Sequence, residues 1–298
     1  MDWKENLDEK IKNILIFDAP MRDYTTYKTG GSAQVLALPE NEDQILYLKT
    51  FSQQYGLAFR IIGFGSNILV SDLGLNGITC CLKNYAGLAL NGKDLSAKAG
   101  TALDEAVRFS TEKGLGGIEC LSGIPGSCGG AVFMNAGAFG QETFDCLKSF
   151  KAITPNGEIK EISKSEVQYG YRKVKGIEGC IILSVTWELT EKNSEELKQS
   201  RLSILERRAQ KQPLEYPSAG SVFKRPQNDY ASRLIDSCGL RGLTVGGAQV
   251  SQKHAGFIIN YDKASASDIY NLIRKVQEEV YTQTGVRLEP EQILWGKF

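Results

Sequence analysis

Residues 122–140 read SGIPGSCGGAVFMNAGAFG, and the fold turns on what this stretch is. Six of its nineteen residues are glycine, three are alanine and none is charged. Glycine reaches positive φ and lets the backbone approach a neighbour closely. A plain linker is a poor reading, because Ile124, Val132, Phe133, Met134 and Phe139 are apolar. Composition leaves two readings open. In one, the stretch is a backbone surface lying against a large flat or phosphorylated ligand, with its N–H groups as donors. In the other, it is a buried, tightly turned connection between sub-domains.

Upstream, residues 59–62 predict a strand that runs into GFGSN (63–67), and 68–70 a second strand. GFGSN is a candidate phosphate cradle, but it leads into a strand. The dinucleotide fingerprint Gly-x-Gly-x-x-Gly would open a helix, so a plain hairpin turn stands beside the cradle reading. Before it, the spacing predicts a short amphipathic helix over 4–17, a polar loop over 21–31, a strand over 35–38 and a helix over 41–55 closed by Gly56. After it come strands at 78–82, 88–90 and 95–99, then a helix over 101–113 capped by Thr101 and stopped by Gly114.

Downstream of the glycine-rich stretch, 150–154 and 159–162 flank Pro155-Asn156-Gly157 as a hairpin, and 180–189 is a long apolar strand. Residues 59–190 thus read as α+β. The charged run 192–211 predicts an exposed connecting helix. Further on are a helix over 230–238, strands over 243–250 and 255–261, a helix over 265–284 started by Ser265 and Asp268, and a final strand broken at Pro290.

The 298 residues balance 35 Lys and Arg against 35 Asp and Glu, which gives no global field favouring nucleic acid or a membrane surface. No apolar run approaches the roughly 20 residues that span a bilayer, and the first fifteen residues lack the apolar core of a signal peptide. Seven cysteines lie scattered without a Cys-x-x-Cys pair, and His254 is the one histidine. Neither a metal site nor a disulfide framework is expected, and reduced cytoplasmic thiols are the default.

Chemistry-bearing candidates are few. Ser221 follows Ala-Gly in the proline-bracketed loop 213–226, with Lys224 and Arg225 just after it: a hydroxyl beside an anion site, or a solvated turn. Arg172, after Tyr-Gly-Tyr, is a carboxylate clamp or a surface arginine. Glu291 sits on a segment that otherwise reads as an apolar strand. His254 reads as packing or capping a strand start, and Cys128 as a small filler.

Seven collinear motifs span nearly the whole chain: YKTGG (27–31), GFGSNILV (63–70), the stretch at 122–140, YGYR (169–172), PSAGSVFKRP (217–226), KHAGFIIN (253–260) and RLEPE (287–291). Together they resemble the UDP-N-acetylenolpyruvoylglucosamine reductase family of peptidoglycan precursor synthesis. The resemblance implies an α+β fold: a two-part FAD-binding domain of the vanillyl-alcohol-oxidase (PCMH) type and a C-terminal α+β substrate-binding domain. The implied division is 1–75, with 287–298 returning to it, 76–191 and 192–286. It implies non-covalent FAD held by Gly63, Gly65, Ser66, Asn67, Ile68, Ser122, Gly123, Pro125, Gly126, Ser127, Gly129, Gly130, Asn135, Ala136 and Gly137, with NADPH as co-substrate.

The resemblance further implies that Ser221 is the acid, and that Arg172 and Glu291 hold the substrate carboxylate. A carboxylate beside a carboxylate would make Glu291 protonated or proton-sharing. Tyr171, Lys211, Lys224 and Arg225 become candidates for a UDP-linked amino sugar. No nucleic acid, membrane or metal partner is implied, and a cytoplasmic monomer is expected. Three features depart from one branch of the family: Cys128 in place of another small residue, Lys224-Arg225 in place of Lys-Asn, and a short segment from Arg172 to Lys211. They point to the shorter subclass, without a substrate-capping tyrosine insertion. An FAD-dependent sugar or alcohol oxidase on the same fold is the alternative, and a non-catalytic flavin or nucleotide binder is a third reading.

Overall fold

The computed structural model describes residues 3–298. The chain forms two compact units: residues 1–17, 35–64 and 76–206 make unit 1, and 18–34, 65–75 and 207–298 make unit 2.

Unit 1 opens with the 3-10 turn Trp3–Asn6 and a single helical turn, α1 (Glu9–Lys12). The helix expected over 4–17 is therefore not formed. The Asp8 side chain accepts Lys10 N–H to start the turn, and Asn13 N–H closes it on Ile11 O. Leu15 already begins the strand Leu15–Pro20. Leu7, Ile11 and Ile14 still bury their side chains, so the periodic apolar signal came from one core face shared by two kinds of structure.

A four-stranded sheet runs in the order Leu15–Pro20, Ser32–Ala37, Leu75–Cys81, Phe59–Ile62. Within unit 1 its last pair is parallel, with Phe59 opposite Ile78 and Ile62 opposite Cys81. Helix α2 (Glu42–Gln54) connects Ser32–Ala37 to Phe59–Ile62. Asn41 caps it by accepting Gln44 N–H, acidic Glu42 and Asp43 suit its positive end, and Ile45, Leu48 and Phe51 are buried.

The second sheet of unit 1 is antiparallel, in the order Ile159–Ser163, Leu147–Ile153, Ile181–Glu188, Asp94–Lys98, Leu88–Asn91. Its centre is Ile181–Glu188, whose inward face carries fully buried Leu183, Val185 and Trp187. Helix α3 (Leu103–Glu112) packs Leu103, Ala106 and Val107 inward. Thr101 does not cap it, contrary to expectation: its Oγ1 donates to Gly87 O at 3.0 Å and accepts Gly87 N–H at 2.9 Å. Helix α4 (Cys128–Phe133) lies inside the glycine-rich stretch, where six residues with two glycines carried no helical signature. Helix α5 (Ser194–Lys211) is the expected charged helix.

Unit 2 has its own core around Leu69, Val222, Phe223, Ile235, Val250, Ile258 and Leu272. Helix α6 (Ala231–Ser237) and helix α7 (Ala266–Thr284) enclose a three-stranded antiparallel sheet, Thr244–Val245, Ala248–Val250, Ile258–Asn260. The single strand expected over 243–250 is thus a hairpin, turned at Gly246-Gly247, where Gly246 has φ 53°. The α7 signals act as expected: Ser265 and Asp268 form a reciprocal capping box, and Gly285 ends the helix at φ 72°. Ile68–Val70 pairs in parallel with Ile293–Trp295. Glu291 consequently lies in the connection before that strand rather than on it.

Candidate active site

In unit 1, the two glycine-rich segments meet. A Cβ on Gly63 would stand 2.2 Å from Ser127 Oγ, so the loop after Phe59–Ile62 needs glycine to pass the residue that caps α4. Most backbone donors of the stretch are already used within the unit. Gly123 N–H donates to Asp104 Oδ1 at 2.8 Å, Gly126 N–H to Ile124 O, Cys128 N–H to Thr101 O, Gly129 N–H to Ala99 O and Gly130 N–H to Ser127 Oγ. Asp104 in turn receives Arg201. The stretch is therefore a tight connection in its first half, and the reading of its N–H groups as ligand donors does not extend to these five.

Two glycines in α4 separate packing from ligand space. A Cβ on Gly129 would lie 2.7 Å from Ala99 Cβ, so the chain's own packing demands this glycine. Gly130 is exposed, lies outside the positive-φ glycines, and a Cβ there would meet only Ser127 Oγ at 3.2 Å. Glycine inside a helix costs about 0.5–1 kcal/mol relative to alanine. Nothing in the chain's own packing offsets that cost at Gly130, which suits a surface kept bare for a flat ligand. Phe64, Phe133 and Phe139 of the same segments, and Tyr171 elsewhere in unit 1, expose large apolar surface. These features fit an FAD isoalloxazine or adenine face. Cys128 is fully buried, and burial, with Glu105 adding to it, pushes its thiol up; it is filler, as expected.

Arg172 is held rather than loose. It is the second residue of the two-residue turn between Gln168–Gly170 and Lys173–Lys175, at φ 53°. That left-handed conformation costs a non-glycine residue roughly 1–2 kcal/mol. Its Nη2 donates to Gly137 O at 3.0 Å and Nη1 to Asn135 O at 3.5 Å, and its Cζ lies 5.0 Å from the Tyr171 ring centre. Asn135 is fully buried at φ 42°, and its side chain is committed to protein. Nδ2 donates to Glu142 Oε2 at 2.6 Å and Gly170 O at 3.1 Å, and Oδ1 accepts Phe144 N–H at 3.2 Å. Asn135 thus organises the Arg172 turn.

In unit 2, Ser221 and Glu291 are brought together by their backbones. Segment 222–224 pairs with 289–291: Glu291 N–H donates to Val222 O at 2.8 Å and Lys224 N–H to Glu289 O at 2.9 Å. Val222 N–H donates to Gly256 O at 2.9 Å, and Ser221 bridges Phe257. Ser221, exposed and preceded by Gly220 at φ 73°, is held from both sides. Asn67, read from sequence as a cofactor residue, donates through Nδ2 to Glu291 O at 3.2 Å, and its own O accepts Ile293 N–H at 2.9 Å. Gly65 passes 2.3 Å from Tyr24 O measured from an ideal Cβ, at φ 64°.

The proposed nucleotide cations are spread over unit 2. Lys224 forms an ion pair with Glu289, and the Arg225 guanidinium stacks 4.6 Å from the Tyr230 ring centre. Lys211 ends α5; burial first, then the charges of Arg241 and Lys211, lower the affinity of His254 for a proton. Gly256 N–H donates to His254 Nδ1 at 3.1 Å, so this imidazole is a neutral acceptor at a strand start. Sequence reasoning passed over Gln292 and the interior role of Tyr27. The signal available was a second polar residue, after Glu291, directly before the apolar run Ile-Leu-Trp.

Among the described residues no group of His, Cys, Asp and Glu is arranged to hold a metal ion, and no helix is long and apolar enough to cross a membrane. Residues 33–163 match the FAD binding domain family, and residues 212–295 match the family described as UDP-N-acetylenolpyruvoylglucosamine reductase, C-terminal domain. The UDP-N-acetylenolpyruvoylglucosamine reductase of Exiguobacterium sibiricum is 39% identical over 287 residues, 96% of this chain and 94% of that protein. That of Pediococcus pentosaceus is 42% identical over 281 residues, 93% of each. The crystal structure of the Thermus caldophilus enzyme superposes with a TM-score of 0.83 at 34% identity, covering 95% of this chain and 98% of that one. The expected PCMH-type FAD domain and reductase C-terminal domain are thereby established, and the oxidase alternative falls away. The chain belongs to the UDP-N-acetylenolpyruvoylglucosamine reductase family.

Proposed function

We propose that the protein reduces the enolpyruvyl ether of UDP-N-acetylglucosamine to UDP-N-acetylmuramate at the expense of NADPH. FAD, held in unit 1, would supply the hydride chemistry between NADPH and the terminal vinyl carbon of the substrate. Gly63, Ser127, Gly130 and the residues around them would hold the flavin, the first two by shaping the turn and Gly130 by leaving a bare face. Negative charge then develops towards the substrate carboxylate. Arg172 meets it with a planar, permanently charged fork, and Glu291 orients the same carboxylate. Ser221 donates its hydroxyl proton to the carbon next to the carboxylate. Serine is a weak acid, so this step needs a strongly basic carbanion-like partner and close positioning.

Lys211, Lys224, Arg225 and Tyr171 bind the nucleotide diphosphate and its sugar. The observation that carries the reading is the backbone pairing of Val222 with Glu291, which joins the proton donor to the carboxylate-binding residue. The functional division is 1–75 with 287–298, 76–191 and 192–286. The parallel pairing of Ile68–Val70 with Ile293–Trp295 supports the return of the C-terminal segment. The uninterrupted run from Lys173–Lys175 through Ile181–Glu188 to α5 supports the shorter subclass. A monomer acting in the cytoplasm is the matching cellular form.

Anaerobic mixing of the FAD-loaded protein with NADPH bleaches the flavin, and the enolpyruvyl substrate restores its colour. Ser221→Ala leaves bleaching intact and slows re-oxidation by orders of magnitude. Equal loss of both half-reactions in that variant would make Ser221 a binding residue, and a chain that takes up no FAD would end the proposal.

A further inference from the structure

We propose that Gln292, together with Tyr27, is a positioning residue: its buried amide ties the backbone leading to Ser221 to the backbone that carries Glu291. The inference rests on the roles proposed above for those two residues. It also gives a role to YKTGG and KHAGFIIN, the two motifs that the reaction itself leaves unused.

Gln292 is 4% exposed and follows Glu291 directly. Its Nε2 donates to Ala219 O at 3.0 Å, two residues before Ser221, and its Oε1 accepts the Tyr27 hydroxyl at 3.0 Å. A carbonyl oxygen only accepts, so Ala219 fixes which end of the amide is nitrogen. The remaining oxygen then makes Tyr27 the donor. Tyr27 is fully buried, and burial pushes its hydroxyl up, so it stays protonated. The backbone of Tyr27 is anchored in turn: its O accepts Asn260 Nδ2 at 2.9 Å, and Asn260 Oδ1 accepts Ala264 N–H at 2.7 Å. Asn260 N–H also donates to Pro217 O at 2.9 Å. The loop entering Ser221 is thus held at two carbonyls, Pro217 and Ala219, by one continuous chain of buried polar groups.

The second attachment of the pair, Glu291 N–H to Val222 O, lies on the far side of Ser221. Backbone pairing alone leaves a hinge at Gly220, where φ is 73° and no neighbour would crowd a side chain. The Gln292 amide removes that freedom on the upstream side. A misplacement of about 1 Å costs an enzyme step on the order of a hundredfold, and proton delivery by a weak acid is the step that suffers. Flavin reduction by NADPH makes no use of the Ser221 proton and is spared. A buried amide that served folding alone would shift stability and leave the two half-reactions in their wild-type ratio.

A cavity of about 160 Å³ beside α7, lined in part by Tyr270, Ile273 and Leu294, borders Gln292, and methionine, unbranched and flexible, is the apolar substitute nearest glutamine in shape. The test uses the full FAD-loaded chain in four forms: wild type, Ser221→Ala, Gln292→Met and Tyr27→Phe. Stopped-flow absorbance follows bleaching by NADPH and re-oxidation by the enolpyruvyl substrate. Gln292→Met is expected to slow re-oxidation by about 10- to 100-fold, with bleaching within about twofold of wild type. Its solvent deuterium isotope effect on re-oxidation rises, because proton transfer then limits the step. Tyr27→Phe moves both readouts in the same direction by less.

Re-oxidation at the wild-type rate in Gln292→Met, or a parallel fall in both half-reactions, overturns the inference. If Gln292→Met does not fold or hold FAD, Tyr27→Phe decides by the same two readouts. A wild type that the substrate does not re-oxidise, or a Ser221→Ala form as fast as wild type, overturns the proposed function and this inference with it. Normal wild type, slow Ser221→Ala and unchanged Gln292→Met overturn the inference alone.

Discussion

Replacing Gly130 with alanine separates what the chain needs from what its ligand needs. Gly130 sits in α4 without positive φ, and its nearest foreign atom to a new Cβ is Ser127 Oγ at 3.2 Å, the same atom that accepts its N–H at 3.2 Å. In the flavin-free protein, alanine should be neutral or stabilising by up to about 0.5–1 kcal/mol, the helical difference between the two residues. In the holoprotein, the methyl group protrudes from the face assigned to the flavin. Overpacking a fitted surface by one methyl costs about 1–3 kcal/mol, which is roughly a 5- to 150-fold rise in FAD Kd.

Gly129→Ala is the internal contrast. Its Cβ would fall 2.7 Å from Ala99 Cβ and 3.2 Å from Ala99 O, so α4 must shift from the end of Asp94–Lys98. It should destabilise the flavin-free protein by about 1–3 kcal/mol, a drop of roughly 2–4 °C in Tm per kcal/mol for a chain of this size. Thermal unfolding of the apoprotein and FAD titration by flavin fluorescence read the two effects separately. Wild-type FAD affinity in Gly130→Ala would refute the assignment of this face to the flavin. Equal apoprotein destabilisation at both positions would refute the reading of the packing.

Other outcomes follow from the buried polar groups. Asn135→Ala leaves Gly170 O, Glu142 and Phe144 N–H without their side-chain partner and should cost about 2–4 kcal/mol. Because it frees the Arg172 turn, substrate Kd should rise more than FAD Kd, and the reverse order would make Asn135 a flavin ligand. His254 has its proton affinity lowered by burial and then by Arg241 and Lys211. Its folded pKa thus lies below its unfolded value of about 6.5. Its contribution to stability is complete above that value and is lost as pH falls from there towards the folded pKa. Proton NMR reads this imidazole without overlap, since the chain has no other. Urea unfolding between pH 7 and 5 should lose part of its pH slope in His254→Gln, and an unchanged slope would reject the linkage.

Much of the fold was legible because its signals are local and repeated. The α7 start at Ser265 and Asp268, its stop at Gly285, and the strands Phe59–Ile62 and Ile68–Val70 were read within a residue. Thr101 failed as a cap because its hydroxyl had a better use across the turn at Gly87, a partner fourteen residues away that no local rule ranks. The 4–17 segment failed because Ile11 and Ile14 share one core face while the backbone changes from helix to strand between them. Helix α4 gives no helical signal because two of its six residues are glycine, one crowded by Ala99 and one facing open space.

The site residues split along the same line. Ser221, Arg172 and Glu291 are proposed from motif, and none of the three lies in a regular helix or strand. Each sits in a turn or connection, where conformational freedom is large and positioning has to be imposed. The groups that impose it, Asn135 for Arg172 and Asn67, Gln292 and Tyr27 for Glu291 and Ser221, are fully or partly buried amides and a buried phenol. Such groups carry no periodic signature, and from sequence two of them read as ligand contacts. Their partners are backbone carbonyls and N–H groups, which every residue has, so only the folded chain identifies the pairing. A buried amide with a full set of backbone partners is costly to disturb. That cost keeps an exposed serine and a left-handed arginine in place.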